Sequence, residues 1–234
     1  KYLDSGNEAR IKKAYESRDP RLQMAIITPY AQYNGASSGI AHTYTLRWPY
    51  RGSDSAEPFD IRTDTNDKFY YLWRKFVPEG LEQTERDTYG LDIPLIRYAE
   101  VLLMKAEALN EWGSTHESEA IRCVNEVRRR AGHVELNNAT YPATKVNGQS
   151  DLRERIRNEY YWEIGGEDSM YFHELRWGTW KDKKFDNNRN GLMQMWGETT
   201  YTWYWLGDQC WSWPIPAKEM EMNSNLEQNE GWIN

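Results

Sequence analysis

The amino-acid sequence reads as a mostly α-helical fold carrying small β-hairpin elements. Three observations point there. Apolar and small residues recur at helical spacing from Leu95 to Leu109. A second such run, Ala120 to Ala131, follows a break at Gly113. A third extends from Leu152 to Ile164 and stops at Gly165-Gly166.

Along the chain, residues 4–17 form the first expected helix, with Asp4 or Ser5 as N-cap and Ala9, Ile11, Ala14 and Tyr15 along it. Ser17-Arg18-Asp19-Pro20 ends it, because the residue before a proline resists the α region. Arg21 to Thr28 then reads as a strand or extended segment, and Phe69 to Val77 as a second one. Between them, residues 29–67 show no sustained period. Gly, Ser, Asp and Pro are interleaved there with Tyr30, Tyr33, Tyr44, Trp48, Tyr50 and Phe59. The expectation is a long loop region, and loops of that length inside a compact domain are usually functional or disordered. The aromatics argue against disorder.

Asp92 to Leu109 is the clearest helix. Pro94 suits its first turn, where a missing N–H is no loss. Leu95, Tyr98, Ala99, Leu102, Leu103, Ala106 and Leu109 make one wide stripe. Ser114 or Thr115 then caps a second helix with Ala120, Ile121, Val124, Val127, Arg128 and Ala131 on one face, and Gly132 stops it. The short turn implies an antiparallel hairpin, and Ala99 and Ala106 allow close approach. Such a hairpin is one tetratricopeptide-like unit, which cannot bury its own face, and no second copy recurs at a fixed period.

Residues 134–149 read as a polar loop. Ser150 caps a helix to about Ile164, with Leu152, Ile156, Tyr160 and Ile164 on one face. Met170 to Trp177 is a short helix ended by Gly178. Residues 196–213 hold five of the twelve Trp. Thr200 to Leu206, Gly207-Asp208 and Gln209 to Trp213 read as a β-hairpin over 200–214 with a two-residue turn. Its aromatics suit a structural role. Pro214 and Pro216 end it.

The net charge of -7 disfavours nucleic acid as a partner. Arg128-Arg129-Arg130 reads as a solvated helix end at the negative pole of the helix dipole, with no ligand needed. No stretch of eighteen apolar residues spans a membrane. Cys123 and Cys210 show no metal spacing; Cys123, in helical sequence, suits a buried thiol, and a bridge between the two stays open. His42, His116, His133 and His173 share no ligand spacing, so no metal or other cofactor is expected. There is no Gly-x-Ser-x-Gly elbow and no phosphate loop.

Glu159 and Glu163 lie four apart on one helical face, with Glu167 nearby. Such a pair can reach the roughly 5–10 Å separation that glycoside hydrolysis requires. It can equally be an ion-paired structural cluster, with Arg155, Arg157 and Arg176 as partners.

The remaining signal is aromatic. Mean hydropathy is -0.92 while 14% of residues are aromatic, so apolar surface is available for recognition as well as core. Tyr and Trp offer flat faces to sugar C–H groups, and Arg, Asp and Asn bind hydroxyls. The segment from Tyr44 to Arg51 alternates these types. Tyr44, Arg47, Trp48 and Tyr50, with Tyr33 and Trp73, are therefore the candidate glycan contacts. The competing reading is that these rings only anchor a loop.

Pro94 to Leu109, Asn125 to Gly132, Trp213 to Glu219 and Asn225 to Trp232, taken in that order, resemble the C-terminal half of the SusD/RagB family. Its members are nutrient-binding lipoproteins on the surface of Bacteroidetes, and they hand glycans to an outer-membrane transporter. The resemblance is clear over 89–132, 150–178 and 212–234, and looser over 19–28 and 68–77. Met170 and His173 depart from the Arg and Asp usual in the family. The resemblance implies that residues 1–234 are the C-terminal part of one SusD-like α-helical domain, with a tetratricopeptide-like helix pair. An N-terminal half of the same protein would then carry the lipid anchor and partner this piece. The start within helix-like sequence, without Met, reads as a fragment or processed piece. The implied function is non-catalytic capture of an oligosaccharide at the outer membrane, for delivery to a SusC-like TonB-dependent transporter. Peptide or other non-sugar cargo is the alternative within the family.

Overall fold

A computed structural model describes residues 8–37, 40–50, 60–64, 72–80, 92–167, 169–185 and 205–232. The chain divides into two compact units, Lys1–Met170 and Tyr171–Asn234.

In the first unit the core is helical. Helices α3 (Tyr98–Trp112), α4 (Glu117–Arg130) and α5 (Gln149–Ile164) pack on one another. Leu103 and Ala106 of α3, Ala120 and Val124 of α4, and Leu152, Tyr160 and Ile164 of α5 are all fully buried. The sequence stripes are thus the core faces. Each fully buried Leu or Ile contributes about 1.5–3 kcal/mol.

The helix ends depart from expectation. Residues 92–97 are irregular, and α3 starts at Tyr98. Arg97 sets that start: its backbone is extended (φ -110, ψ 152) and its carbonyl accepts from Glu100 and Val101. Pro94 therefore lies outside the helix. Gly113 (φ 138) closes α3, donating to the Leu109 carbonyl. Ser114–His116 forms a 3-10 turn, so neither Ser114 nor Thr115 caps α4. Gly148 rather than Ser150 is the N-cap of α5.

Upstream, α1 (Glu8–Glu16) is helical as expected, while Asp4 and Ser5 lie outside the described residues. The extended reading of Arg21 to Thr28 is corrected. Pro20–Ala25 is a helix, α2, and only Ile26–Ile27 (β1) is strand. Asp19 caps α2, accepting from Arg21 N at 2.9 Å, and Pro20 holds its first position. The proline that ends one helix also begins the next.

The long loop expected over 29–67 is corrected too. β2 (Gln32–Ser37), β3 (Ile40–Tyr50) and β4 (Asp60–Asp64) make a three-stranded sheet in the order β2-β3-β4. β2 and β3 are antiparallel, with Tyr33 opposite Tyr44 and Gly35 opposite His42. β3 and β4 are parallel, with Leu46 opposite Ile61. Leu46 is fully buried, but it stands between Thr45 and Arg47 in a stretch whose sequence has no hydropathy period. β1 pairs with β5 (Leu72–Trp73) in a separate two-stranded sheet.

The second unit holds most of α6 (Ser169–Arg176), then α7 (Trp180–Phe185) and α8 (Ala217–Met222). The expected second strand of the late hairpin is absent: Asp208–Trp211 is a 3-10 turn, with Cys210 N bonded to the Gly207 carbonyl at 3.0 Å. Of the expected first strand, Thr200 to Leu206, residues 200–204 lie outside the described residues, and Trp205 and Leu206 are irregular. Trp205 sits edge-on to Phe185, Trp180 and Trp211 at 5.3, 5.7 and 5.0 Å between centroids. These aromatics form a packed cluster, the structural role the sequence suggested. Cys123 is buried, Cys210 half-buried, and both are free.

Candidate functional site

The β2–β3 hairpin gathers aromatic side chains because antiparallel pairing puts directly opposite residues on one face. Tyr33 and Tyr44 are opposite, with ring centroids 6.4 Å apart and planes inclined by 44°. His42 stands edge-on to Tyr44 at 6.3 Å. Gly35 lies beneath the rings. A Cβ there would meet Tyr33 Cε1 at 2.9 Å and Tyr44 Cε2 at 3.0 Å. Both tyrosines are half-buried, so part of each ring faces outward.

The hairpin is held from residues 74–80. The Tyr33 hydroxyl donates to the Pro78 carbonyl. Gly80 N donates to the Asn34 carbonyl at 2.9 Å, and Asn34 N to Glu79 Oε2 at 3.2 Å. Glu79 is in turn paired with Arg74 Nε at 2.7 Å. A tyrosine pair fixed this way presents apolar ring surface at little further entropic cost on binding.

Of the sequence-derived contacts, the structure brings Tyr33 and Tyr44 together. Arg47, Trp48 and Tyr50 lie on β3, with an irregularity in its pairing between Arg47 and Tyr50. Their side chains lie outside the described residues. Trp73 belongs to the other sheet. Its ring packs over Gly166 (φ +83), where a Cβ would lie 2.6 Å away. Gly35 and His42 were missed by sequence reading, although the alternation Tyr33-x-Gly35 and His42-x-Tyr44 is a strand signal.

A second constellation lies at the helical core. Glu159 and Glu163 on α5 are buried. Arg21 Nη1 lies 2.8 Å from Glu159 Oε1 and 3.0 Å from Glu163 Oε2, between the two carboxylates. Arg128 Nε lies 2.7 Å from Glu159 Oε2. Arg97 Nη1 reaches Glu163 at 3.0 Å and its Nη2 reaches Glu167 at 2.7 Å. Arg130 pairs with Glu163, Lys75 with Glu167, and Asp19 with Arg21. The expected partners are elsewhere: Arg155 pairs with Asp151, Arg157 with Glu154, and Arg176 meets His173 Nδ1. Nor is the arginine run merely solvated, since Arg128 is buried and Arg130 reaches inward; Arg129 alone pairs outside, with Glu135.

Burial raises the affinity of the Glu163 carboxyl for a proton. Hydrogen bonds from Arg97 and Arg21 and the charge of Arg130 outweigh that, and its pKa is lowered. A carboxylate held ionised by three guanidiniums is a poor general acid. The cluster ties α2, α4, α5 and the start of α3 together. Among the described residues no group of three His, Cys, Asp or Glu side chains is arranged to hold a metal ion, and no helix is long and apolar enough to cross a membrane.

The sequence profile of the SusD family matches residues 3–232. SusD-like protein P38 of Formosa agariphila is 32% identical over 139 residues, 59% of this chain and 24% of that protein. Starch-binding protein SusD of Bacteroides thetaiotaomicron is 28% identical over 161 residues, 68% of this chain and 25% of that one. The aligned part thus spans about a quarter of the curated relatives' length. Among solved structures, a SusD-like protein of Bacteroides fragilis superposes with a TM-score of 0.63 at 22% identity, over 96% of this chain and 41% of that one. A SusD-like carbohydrate binding protein of the same species gives 0.54 at 25% identity, over 97% and 44%. The mostly helical architecture built around α3 to α5 is shared with these structures, and the chain belongs to the SusD family.

Proposed function

We propose that this chain is part of a cell-surface protein that captures an oligosaccharide without cleaving it. The Tyr33–Tyr44 pair over Gly35 is the observation that carries this reading. Two inclined rings on a braced hairpin suit the apolar faces of a sugar chain, and the hydroxyl and amide groups around them suit its edges. Tyr33, Tyr44, Arg47, Trp48 and Tyr50 belong to this hairpin and are its candidate contacts; Trp73 would add a ring from the β1–β5 sheet. The names of two relatives, one starch-binding and one carbohydrate binding, support the same class of ligand. The pairing of Glu159 and Glu163 with arginines supports binding over hydrolysis. By family membership the protein sits at the outer membrane as a lipoprotein, and passes cargo to a SusC-like TonB-dependent transporter. An open platform buries little of a ligand, so affinity is modest.

Native affinity electrophoresis through a panel of polysaccharides tests the reading, with Tyr44→Ala and Trp48→Ala as controls. Retardation by a polysaccharide, loss in the controls and no release of reducing sugar is the expected result. Free migration through every polysaccharide would move the reading to peptide cargo. Sugar release abolished by Glu163→Gln would move it to hydrolysis.

A further inference from the structure

Beside the buried ion cluster is a cavity of about 310 Å³. Arg21, Lys75, Arg97 and Arg130 reach its wall, with Glu163 and Glu167, and Phe76 and Trp162 form aromatic sides. The cluster as a whole sets five cations against four carboxylates, so one positive charge is left over.

That surplus has an address. The Lys75 ammonium already bonds to Glu167 and to the carbonyls of Glu163 and Gly165. Arg97 spends its fork on Glu163 and Glu167, and Arg21 spends its own on Asp19, Glu159 and Glu163. Arg130 is different. Among the described residues it makes one hydrogen bond, from Nη2 to Glu163, and its side chain is 58% exposed. Nη2 keeps a second N–H, and with either Nε–H or Nη1–H beside it one edge of the fork remains to take two oxygens of a carboxylate or sulfate.

The aromatic wall is also set. Trp162 is 46% exposed, with the Arg128 guanidinium 5.7 Å from its ring centroid and His133 edge-on at 5.7 Å. Phe76 has a left-handed backbone (φ 62), a conformation that costs a non-glycine residue free energy and collects at ligand sites. Lys75 Nζ lies 5.8 Å from its ring centroid. A planar-faced, anionic group is what these walls have in common.

We propose that this cavity is a subsite for an acidic sugar unit, its carboxylate or sulfate forked by Arg130 and its ring lying against Trp162. This rests on the glycan reading and narrows it to anionic glycans. The overall charge of -7 does not oppose it, because charges beyond about 8 Å are screened at physiological salt.

Calorimetric titration of the protein decides it. The probes are trigalacturonate, its methyl ester, a sulfated galactan oligosaccharide, maltotriose and inorganic sulfate. At least one acidic oligosaccharide should bind about tenfold more tightly than the neutral ones, and Arg130→Gln should abolish that gap. The acid that wins identifies the anion. Glu163 keeps Arg21 and Arg97 in this variant, so its melting curve should stay close to the parent's; if it does not fold, Arg130→Lys, which keeps the charge and loses the fork, should narrow the gap instead. Trp162→Ala should weaken acidic sugars but not inorganic sulfate. Equal binding of neutral and acidic sugars, unchanged by Arg130→Gln, would overturn the subsite and leave glycan capture standing. Binding of inorganic sulfate with no sugar bound at all would overturn both.

Discussion

Arg128 on α4 and Glu159 on α5 share a hydrogen bond of 2.7 Å with both side chains buried. Removing Arg128 leaves the buried Glu159 carboxylate with Arg21, which is already shared with Asp19 and Glu163. Arg128→Ala should therefore lose about 3–5 kcal/mol of stability. Replacing both, as Arg128→Met with Glu159→Leu, should cost clearly less, because no carboxylate is left facing apolar surroundings. Urea unfolding of the three proteins checks this. An equal loss in the double variant would mean that packing, and not charge compensation, dominates there.

Glu163 sets the direction of the acid response. Its folded pKa lies below the ordinary 4.5, so it binds a proton more readily unfolded than folded. Its contribution is complete above 4.5 and is lost as pH falls through the lower folded value. Asp19 acts in the same sense: burial raises its pKa, and Arg21 outweighs that and lowers it. The stability gap between the parent and Glu163→Gln should narrow as pH drops below 4.5. A constant gap down to acid unfolding would contradict the ion-pair account.

Gly35 offers a way to disturb the tyrosine pair without touching a ring. Its Cβ in Gly35→Ala would lie 2.9 and 3.0 Å from the two rings, which must move aside. The expected result is weaker retardation by the bound polysaccharide, with far-UV circular dichroism unchanged. Tyr44→Ala removes one ring and should weaken binding by about tenfold, on the scale of 1–2 kcal/mol for one aromatic contact.

Gly166 is the corresponding point beneath Trp73. Its φ of +83 disfavours a side chain, and a Cβ would lie 2.6 Å from the indole. Gly166→Ala should destabilise the protein by about 1–3 kcal/mol, read from thermal unfolding. No loss would mean that the indole moves freely off this position.

The helical core was legible because burial repeats with the helix period. Leu103, Ala106, Val124, Leu152 and Tyr160 all fall where the stripes place them. Helix starts were less legible. α2 begins at a proline that also ends α1, and α3 waits for Arg97, whose conformation answers to carboxylates sixty-six and seventy residues away. The β2–β3–β4 sheet was hidden because backbone pairing carries much of it, and the fully buried Leu46 stands between Thr45 and Arg47 without an apolar alternation in the sequence. The candidate site was half legible. Tyr33 and Tyr44 could be named by residue type, but their pairing, and the glycine under them, depend on a register that only the folded hairpin supplies.

Near the end of the chain, Gln228 accepts from Ile215 N at 2.7 Å and donates to the Ile215 carbonyl at 2.9 Å. Prolines on both sides of Ile215 leave it the only N–H in that tripeptide, so no neighbouring strand could continue a ladder there. One amide side chain takes the place of that strand, and clasps the ends of the intervening segment like a buckle. Because it needs both a donor and an acceptor at once, no carboxylate or aliphatic residue of similar size can fasten it. Protease cutting within 216–227 would leave the two flanks joined by Gln228, by Asn229 on the Trp213 carbonyl and by Trp232 on the Gln209 and Ser212 carbonyls, and comparison with a cut Gln228→Glu variant would give the clasp's own share.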